Sequence, residues 1–255
     1  EYTFNTLKYK KAAIMGLDYA FGWESAGGFQ KTFEEAGGKV IQKIWCPLTV
    51  TDFSPYLSQI SKDADVLYVL FVGRSTLQVF KQAQEFGLKG KIPVVGGGTS
   101  TDEHALPSMG DEALGIITAL HYSEALDNPA NKKFVKAYRE KAKKSASYYS
   151  EGTYTGTPWI VEAIKAIKGD VENRPKFMEA LRKVELKDLP RGPMKLDAYG
   201  NPIQNTYIRK VERVGAELQN TVIHTIPNVS QFWKYNPEEF LKQPVYSREF
   251  PPLKP

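Results

Sequence analysis

The sequence predicts an α/β protein built on parallel, doubly wound sheet. Three observations carry that reading. Asp65-Val-Leu-Tyr-Val-Leu-Phe-Val72 is an almost unbroken apolar run, as expected of a parallel strand covered on both faces. Short apolar runs alternate with segments whose apolar residues recur at helical spacing, from Lys11 to Tyr122. The runs end in aromatic or glycine-rich turns such as Asp18-Tyr-Ala-Phe-Gly22 and Gly96-Gly97-Gly98. An open α/β sheet presents its ligand crevice at such strand ends.

The elements follow in order. Ala12–Asp18 reads as a buried strand. Glu24–Ala36 reads as a helix, with Ala26, Phe29, Phe33 and Ala36 on one face and Gly37-Gly38 closing it. Val40–Cys46 is the next strand. Ser54-Pro55 has the form of a capping serine followed by proline at the first helical position, and Leu57 and Ile60 give that short helix its apolar face. Ser75–Phe86 is a helix with Leu77, Phe80 and Ala83 inward. Ile92–Val95 is a strand running into the glycines, and Gly115–Tyr122 is a fifth strand. Alternation of this length implies right-handed crossovers.

After Asp127 the rhythm changes. Asn128-Pro129 caps a basic helix. Thr153–Lys168 reads as a helix with Trp159, Ala163, Ile164 and Ile167 inward, and Pro158 marks a late start or a kink. Arg174-Pro175 opens another, with Phe177, Met178, Leu181 and Val184 apolar. A short strand at Pro193–Leu196, a turn at 198–202, and two β-rich stretches, Ile203–Val214 and Leu218–Ile226, follow. Gly215 separates the last two, which predicts a hairpin. The tail from Pro227 reads as an ordered extension without regular structure.

Composition narrows the function classes. Hydrophobic residues make up 42% and charged residues 25% of the 255, ordinary for a soluble globular protein. No apolar run approaches the roughly 18 residues of a membrane span. The chain begins at Glu1 with no signal segment, which suggests processing, truncation or a piece of a longer chain. The net charge is +5, but residues 131–144 alone hold seven basic residues and one acid. The rest is near neutral, so the charge reads as one solvated helix face rather than a nucleic-acid footprint. The single cysteine, Cys46, excludes an intrachain disulfide and reads as a buried thiol.

Enzyme signatures are mostly absent. The glycine run lacks GxGxxG spacing, and there is no phosphate loop or GxSxG elbow. His104, His121 and His224 are far apart, so neither a metal nor a cofactor is expected. The strand ends instead carry Asp18, Tyr19 and Phe21, then Gly73, Arg74 and Ser75, then Gly96, Gly97, Gly98 and Thr99, then His121 and Tyr122. Aromatic faces, small residues and open backbone amides suit an organic ligand with a flat or apolar body. The bland alternative is that Tyr19, Phe21 and Tyr122 merely cap the core.

These residues resemble a known family. Ala12–Gly22, Asp52–Ile60, Asp65–Val72 leading to Gln82-Ala83, and Gly87-Leu88 with Pro93–Gly97 look like the type I periplasmic solute-binding proteins of ABC transporters, in the branched-chain amino acid binding branch. Asn128–Ala130, Ser150–Ala166, Gly192-Pro193 with Leu196-Asp197 and Gly200, and Gln204–Arg209 continue the match in the same order. The tail from Gln231 to Phe250 resembles a subgroup with an extended carboxyl end.

The resemblance implies two α/β lobes with a solute trapped between them, no reaction and no cofactor. Residues 11–125 and 203–226 then correspond to the second lobe. Residues 1–10 and 126–200 belong to an incomplete first lobe, and 227–255 form the extension. The chain looks like the last two-thirds of such a protein, which would leave apolar faces of the helices at 153–168 and 174–184 exposed. Tyr19 matches a pocket-wall tyrosine, and Gly98 lies near where amino-acid binders place an acid for the ligand ammonium. Gly96 to Thr101 contains no acid. Breaking one partner from a buried charge pair typically costs about 3–5 kcal/mol, so a carboxylate or amide with an apolar or aromatic body is expected instead. Phe21 and Tyr122 are placed to stack on a ring, worth about 0.5–1.5 kcal/mol beyond area burial. The expected ligand contacts are Tyr19, Phe21, Gly73, Arg74, Gly97, Gly98, Thr99, Tyr122 and Glu151, the last within the Ser150–Ala166 match. Expected partners are the solute and an ABC permease in the inner membrane. The protein is expected to be a periplasmic or membrane-associated extracellular monomer when full length. Branched-chain amino acid binding, or a ligand-sensing domain of a receptor or regulator on the same fold, is the alternative, and a Rossmann-like enzyme the third reading.

Overall fold

The computed structural model describes residues 1–254. The chain divides into two compact units. The first comprises Glu1–Ala119, Lys210–Leu218 and the stretch from Leu241 onward. The second comprises Leu120–Arg209 and Gln219–Phe240.

The chain opens with α1 (Tyr2–Asn5), β1 (Lys11–Leu17), α2 (Ala20–Glu35) and β2 (Lys39–Cys46). It continues through α3 (Ser54–Leu57), β3 (Val66–Leu70), α4 (Arg74–Glu85), β4 (Val94–Gly97) and β5 (Ile117–Leu120). Then come α5 (Pro129–Ala142), α6 (Tyr148–Ala166), α7 (Arg174–Lys183), β6 (Glu185–Leu186) and β7 (Met194–Leu196). Two long strands, β8 (Pro202–Val214) and β9 (Glu217–Val229), and a last short helix, α8 (Pro237–Leu241), complete it.

In the first unit the strands run in the order β2-β1-β3-β4-β5, all parallel. The far end of β8 lies beside β5, with Val211 N donating to Ile116 O and Gly115 N to Val211 O, both at 2.9 Å. The two-residue period of the strands sorts their side chains onto two faces. Ala13, Met15 and Leu17 of β1 and Leu67, Val69 and Phe71 at β3 join Val79 and Phe80 of α4. Ala12 and Ile14 with Val66, Tyr68 and Leu70 join Ala26 and Phe33 of α2. Helices therefore cover both faces, which is why β1 and β3 read as continuous apolar runs rather than alternating ones. The parallel α/β reading holds.

In the second unit β8, β7 and β6 pair antiparallel, and β9 pairs with β8. Asn128 caps α5 as expected: its side chain accepts the Asn131 N–H. The apolar faces expected to stand open at 153–168 and 174–184 are largely covered: Trp159, Ala163, Ile167 and Val184 are buried, and Phe177 and Leu181 pack against the Trp159–Ala163–Val184 cluster. No residue of α7 is buried, and Ile160, Val161 and Met178 are exposed.

Several boundaries differ from expectation. Helix α2 starts at Ala20, not Glu24, so Phe21, Gly22 and Trp23 form its first turn. Gly22 is required there because a Cβ would fall 2.0 Å from the Leu17 carbonyl oxygen. Gly96 and Gly97 lie inside β4 rather than in a turn, since a Cβ on Gly96 would meet the Val69 carbonyl at 2.5 Å. Ser54 is the first residue of the short helix α3 rather than its cap: Phe53 takes the N-cap position without a side-chain cap bond, and the Asp52 carboxylate accepts the Ser54 N–H at 2.9 Å. Helix α6 starts at Tyr148 behind a Ser147 cap, with Pro158 inside it. The tail is not wholly irregular, since β9 runs on to Val229 and α8 forms at Pro237–Leu241.

The compact units divide the chain differently from the lobes that the family resemblance implies. Residues 1–10 pack with the first unit, where Phe4, Leu7 and Tyr9 close the Phe33 face. The boundary falls after Ala119, not near residue 125, and residues 203–209 and 219–226 belong to the second unit. The carboxyl tail is shared, its last part returning to the first unit.

Candidate functional site

Parallel register brings the carboxyl ends of β1, β3 and β4 to one edge of the first unit. At the end of β1, Tyr19 is extended (φ −162°, ψ 172°) and is the residue before α2. Its ring lies 5.9 Å from that of Phe21, tilted by 53°. Phe21 is 40% exposed, a large apolar ring left open at a strand end. Asp18 anchors this corner: its Oδ1 accepts the Trp23 indole N–H at 2.9 Å, and its Oδ2 accepts from Arg248 at 2.8 Å.

At the end of β3, Gly73 takes φ +62° and ψ −133°, a conformation that side chains rarely adopt. That bend starts α4 at Arg74, and both Gly73 and Arg74 are exposed. Ser75 donates its hydroxyl to Val72 O at 2.8 Å, which closes the turn.

At the end of β4, Gly97 is half-buried while Gly98 and Thr99 are buried. The Thr99 hydroxyl donates to Phe71 O at 2.9 Å, so it serves the backbone between β3 and β4. A Cβ on Gly97 would meet Leu70 Cδ1 at 2.5 Å, so Leu70 fills the space beside this glycine, with two hydroxyls just beyond it. A Cβ there would lie 3.6 Å from Ser25 Oγ and 3.8 Å from Tyr68 OH. These two hydroxyls are hydrogen-bonded to each other at 2.9 Å. Burial pushes the Tyr68 phenol up to about 12, against the Ser25 hydrogen bond, so it stays a neutral donor. Sequence reading missed this pair. Tyr68 sits mid-strand and Ser25 in a helix 43 positions away, and nothing in the local pattern links them.

The second unit holds the two remaining expected contacts, and its geometry differs from the expectation. Tyr122 has no exposed surface. Its hydroxyl donates to Asn131 Oδ1 at 3.0 Å and its ring meets Phe134 edge-on at 6.4 Å, which makes it a core residue with no face for stacking on a solute. Glu151 is also fully buried. Arg191 Nε reaches its two oxygens at 3.0 and 2.8 Å, and the Thr155 hydroxyl donates to Oε1 at 2.5 Å, so the carboxylate is already satisfied. Arg191 in turn donates to Gln204 at 2.8 Å, and Tyr207 OH donates to the Arg191 carbonyl at 2.6 Å.

Among the described residues no group of three or more His, Cys, Asp or Glu side chains stands close enough to hold a metal ion. No helix among them is long and apolar enough to cross a membrane.

In an open parallel α/β sheet, ligands sit beyond the carboxyl ends of the strands, and here that edge carries an exposed aromatic ring and glycines. Residues 1–216 match the family described as periplasmic binding protein, and the chain belongs to that family. It is 36% identical over 211 residues to a Leu/Ile/Val-binding protein homolog 6 of Brucella melitensis biotype 1, covering 80% of this chain and 53% of that protein. Among solved structures it is similar to an ABC transporter substrate-binding protein from Sphaerobacter thermophilus. That likeness has a TM-score of 0.85 and 31% identity, over 89% of this chain and 63% of that one. It is also similar to a solute-binding protein of an ABC transporter from Rhodopseudomonas palustris BisB5, solved in complex with 3,4-dihydroxy benzoic acid. Here the TM-score is 0.81 and the identity 34%, over 87% of this chain and 61% of that one. The chain spans about half the length of the curated relative it matches. The family resemblance drawn from the motifs is thereby borne out.

Proposed function

We propose that the chain is part of the extracytoplasmic solute-binding component of an ABC importer, and that the solute is a small aromatic carboxylate. The observation that carries this reading is the Tyr19–Phe21 ring pair at the end of β1, 5.9 Å apart, with Tyr19 partly buried against the core and Phe21 exposed. Two rings set at an angle offer a face and an edge to a third ring, worth about 0.5–1.5 kcal/mol beyond area burial. Arg74 and the first amides of α4, beside the Gly73 bend, supply positive charge and donors for a carboxylate. The Ser25–Tyr68 hydroxyls beside Gly97 suit a phenolic or amide substituent.

An ammonium has little support at this edge. Residues 96–101 hold no acid, and Asp18 is already engaged by Trp23 and Arg248. The dihydroxybenzoate in the Rhodopseudomonas palustris relative supports the aromatic reading. The ligand works by favouring one conformation of the full-length protein, which then docks on a membrane permease.

A branched-chain amino acid is the second reading, favoured by the Brucella relative's name. Isothermal titration calorimetry on the full-length protein separates the two. Saturable binding of 3,4-dihydroxybenzoate or benzoate, weakened by Tyr19→Ala and Phe21→Ala, is the expected result. Tight binding of leucine with none of the aromatic acids overturns it.

A further inference from the structure

The end of the chain returns to the first unit and runs along α2. Tyr246 lies on the helix at Gly27, where a Cβ would fall 2.4 Å from its Cδ1. The Pro252 carbonyl accepts Gln30 Nε2 at 3.0 Å, and the Pro251 carbonyl accepts the Lys43 ammonium. Lys254 pairs with Glu34 at 2.8 Å. At the other end of this path Arg248 Nη1 reaches Asp18 Oδ2 at 2.8 Å. The grip therefore extends over most of α2, from the residue before Tyr19 to the helix's last turn.

Asp18 is used on both oxygens. Oδ2 faces Arg248, and Oδ1 accepts the Trp23 indole N–H at 2.9 Å. Tyr19 directly follows this carboxylate, and the Trp23 amide donates to the Tyr19 carbonyl at 3.0 Å. The side chain of Arg248 is 54% exposed, so the ion pair alone adds little to stability. Its geometric effect is larger, because it fixes the one carboxylate that ties the end of β1 to the first turn of α2.

We propose that Arg248 is a positioning residue for the solute site, acting through Asp18 and Trp23 to hold the Tyr19–Phe21 wall. This rests on the reading of that wall as a solute contact. The carboxyl-terminal segment is then a strap whose function is affinity, and residues about 230 positions apart serve one site.

The test is calorimetric titration of the full-length protein with 3,4-dihydroxybenzoate, alongside thermal unfolding. Arg248→Ala and Asp18→Asn are each expected to raise Kd at least about fivefold, the low end of coupling between distant sites. The Tm should stay within about 4 °C of the parent. Arg248→Lys should recover part of the affinity. In a Phe21→Ala background Arg248→Ala should add nothing, because the wall it positions is gone. A merely structural role would lower Tm and weaken both backgrounds alike, and that result overturns the proposal. So does an unchanged Kd in Arg248→Ala when Phe21→Ala has weakened binding. If Phe21→Ala itself leaves Kd unchanged, the wall reading fails first and the proposal falls with it. Should Arg248→Ala not fold, Asp18→Asn carries the same test.

Discussion

Arg191 grips Glu151 from one side, its Nε 2.8 Å from Oε2 and 3.0 Å from Oε1, with both side chains almost wholly buried. The two are 40 residues apart in sequence. Removing either partner strands the other as a buried charge. Glu151→Gln or Arg191→Met is expected to destabilise the second unit by about 3–5 kcal/mol. Replacing both with apolar residues should cost less than either alone. Urea unfolding of the single and double variants measures this.

His121 predicts an acid-sensitive fold. Burial first, then the nearby Arg191 and Arg209 charges, lower its pKa from 6.5 to about 3. Between those values the unfolded chain binds a proton that the folded one refuses. Stability therefore rises with pH across that window, and it falls as the pH drops from about 6.5 toward 3. A His121→Gln variant should lose the part of this slope between pH 6.5 and 5, where ordinary carboxylates do not yet titrate. Denaturant midpoints against pH for parent and variant check the sign.

Cys46 should be chemically silent in the folded protein. It has no exposed surface, and burial, then the Asp18 charge, push its thiol up to about 12. The reactive thiolate is then scarce at neutral pH. A thiol reagent should label it only after denaturant is added. Fast labelling of the native protein would contradict the packing described.

Gly22 is the tightest point of the β1–α2 junction. A methyl group there meets the Leu17 carbonyl at 2.0 Å, and a backbone atom does not move aside cheaply. Gly22→Ala is expected to cost about 1–3 kcal/mol by overpacking. It should also weaken aromatic-acid binding, because the strain falls between Leu17 and Gly22, the segment that carries Tyr19 and Phe21. Thermal unfolding and the calorimetric titration report the two effects separately.

What was legible in the sequence follows the reach of each interaction. The strands β1 and β3 and the helix α4 were plain because local periodicity alone determines which faces are apolar. The first turn of α2 was hidden, since Phe21-Gly22-Trp23 has poor helix propensity and is held by the Leu17 backbone and by Asp18. The same limit governed the site. Tyr19, Phe21, Gly73 and Gly97 stood out because strand ends are visible in sequence. Ser25 beside Tyr68, Arg191 on Glu151 and Arg248 on Asp18 are set by tertiary packing across 43, 40 and 230 positions. Tyr122 misled for the complementary reason: a strand-end aromatic looks alike whether it faces a ligand or, as here, Phe134.

The first unit is drawn from three separate stretches of chain, one of which is only the nine residues Lys210–Leu218. A protease that nicks the backbone anywhere between residues 120 and 209 would not release that stretch. It would stay in place through the Val211 hydrogen bonds to Gly115 and Ile116 and through the burial of Val211 itself. No single cut yields the first unit whole and alone. Dissecting this protein into autonomous pieces calls for re-joining segments, as in a circular permutant, rather than for choosing a boundary.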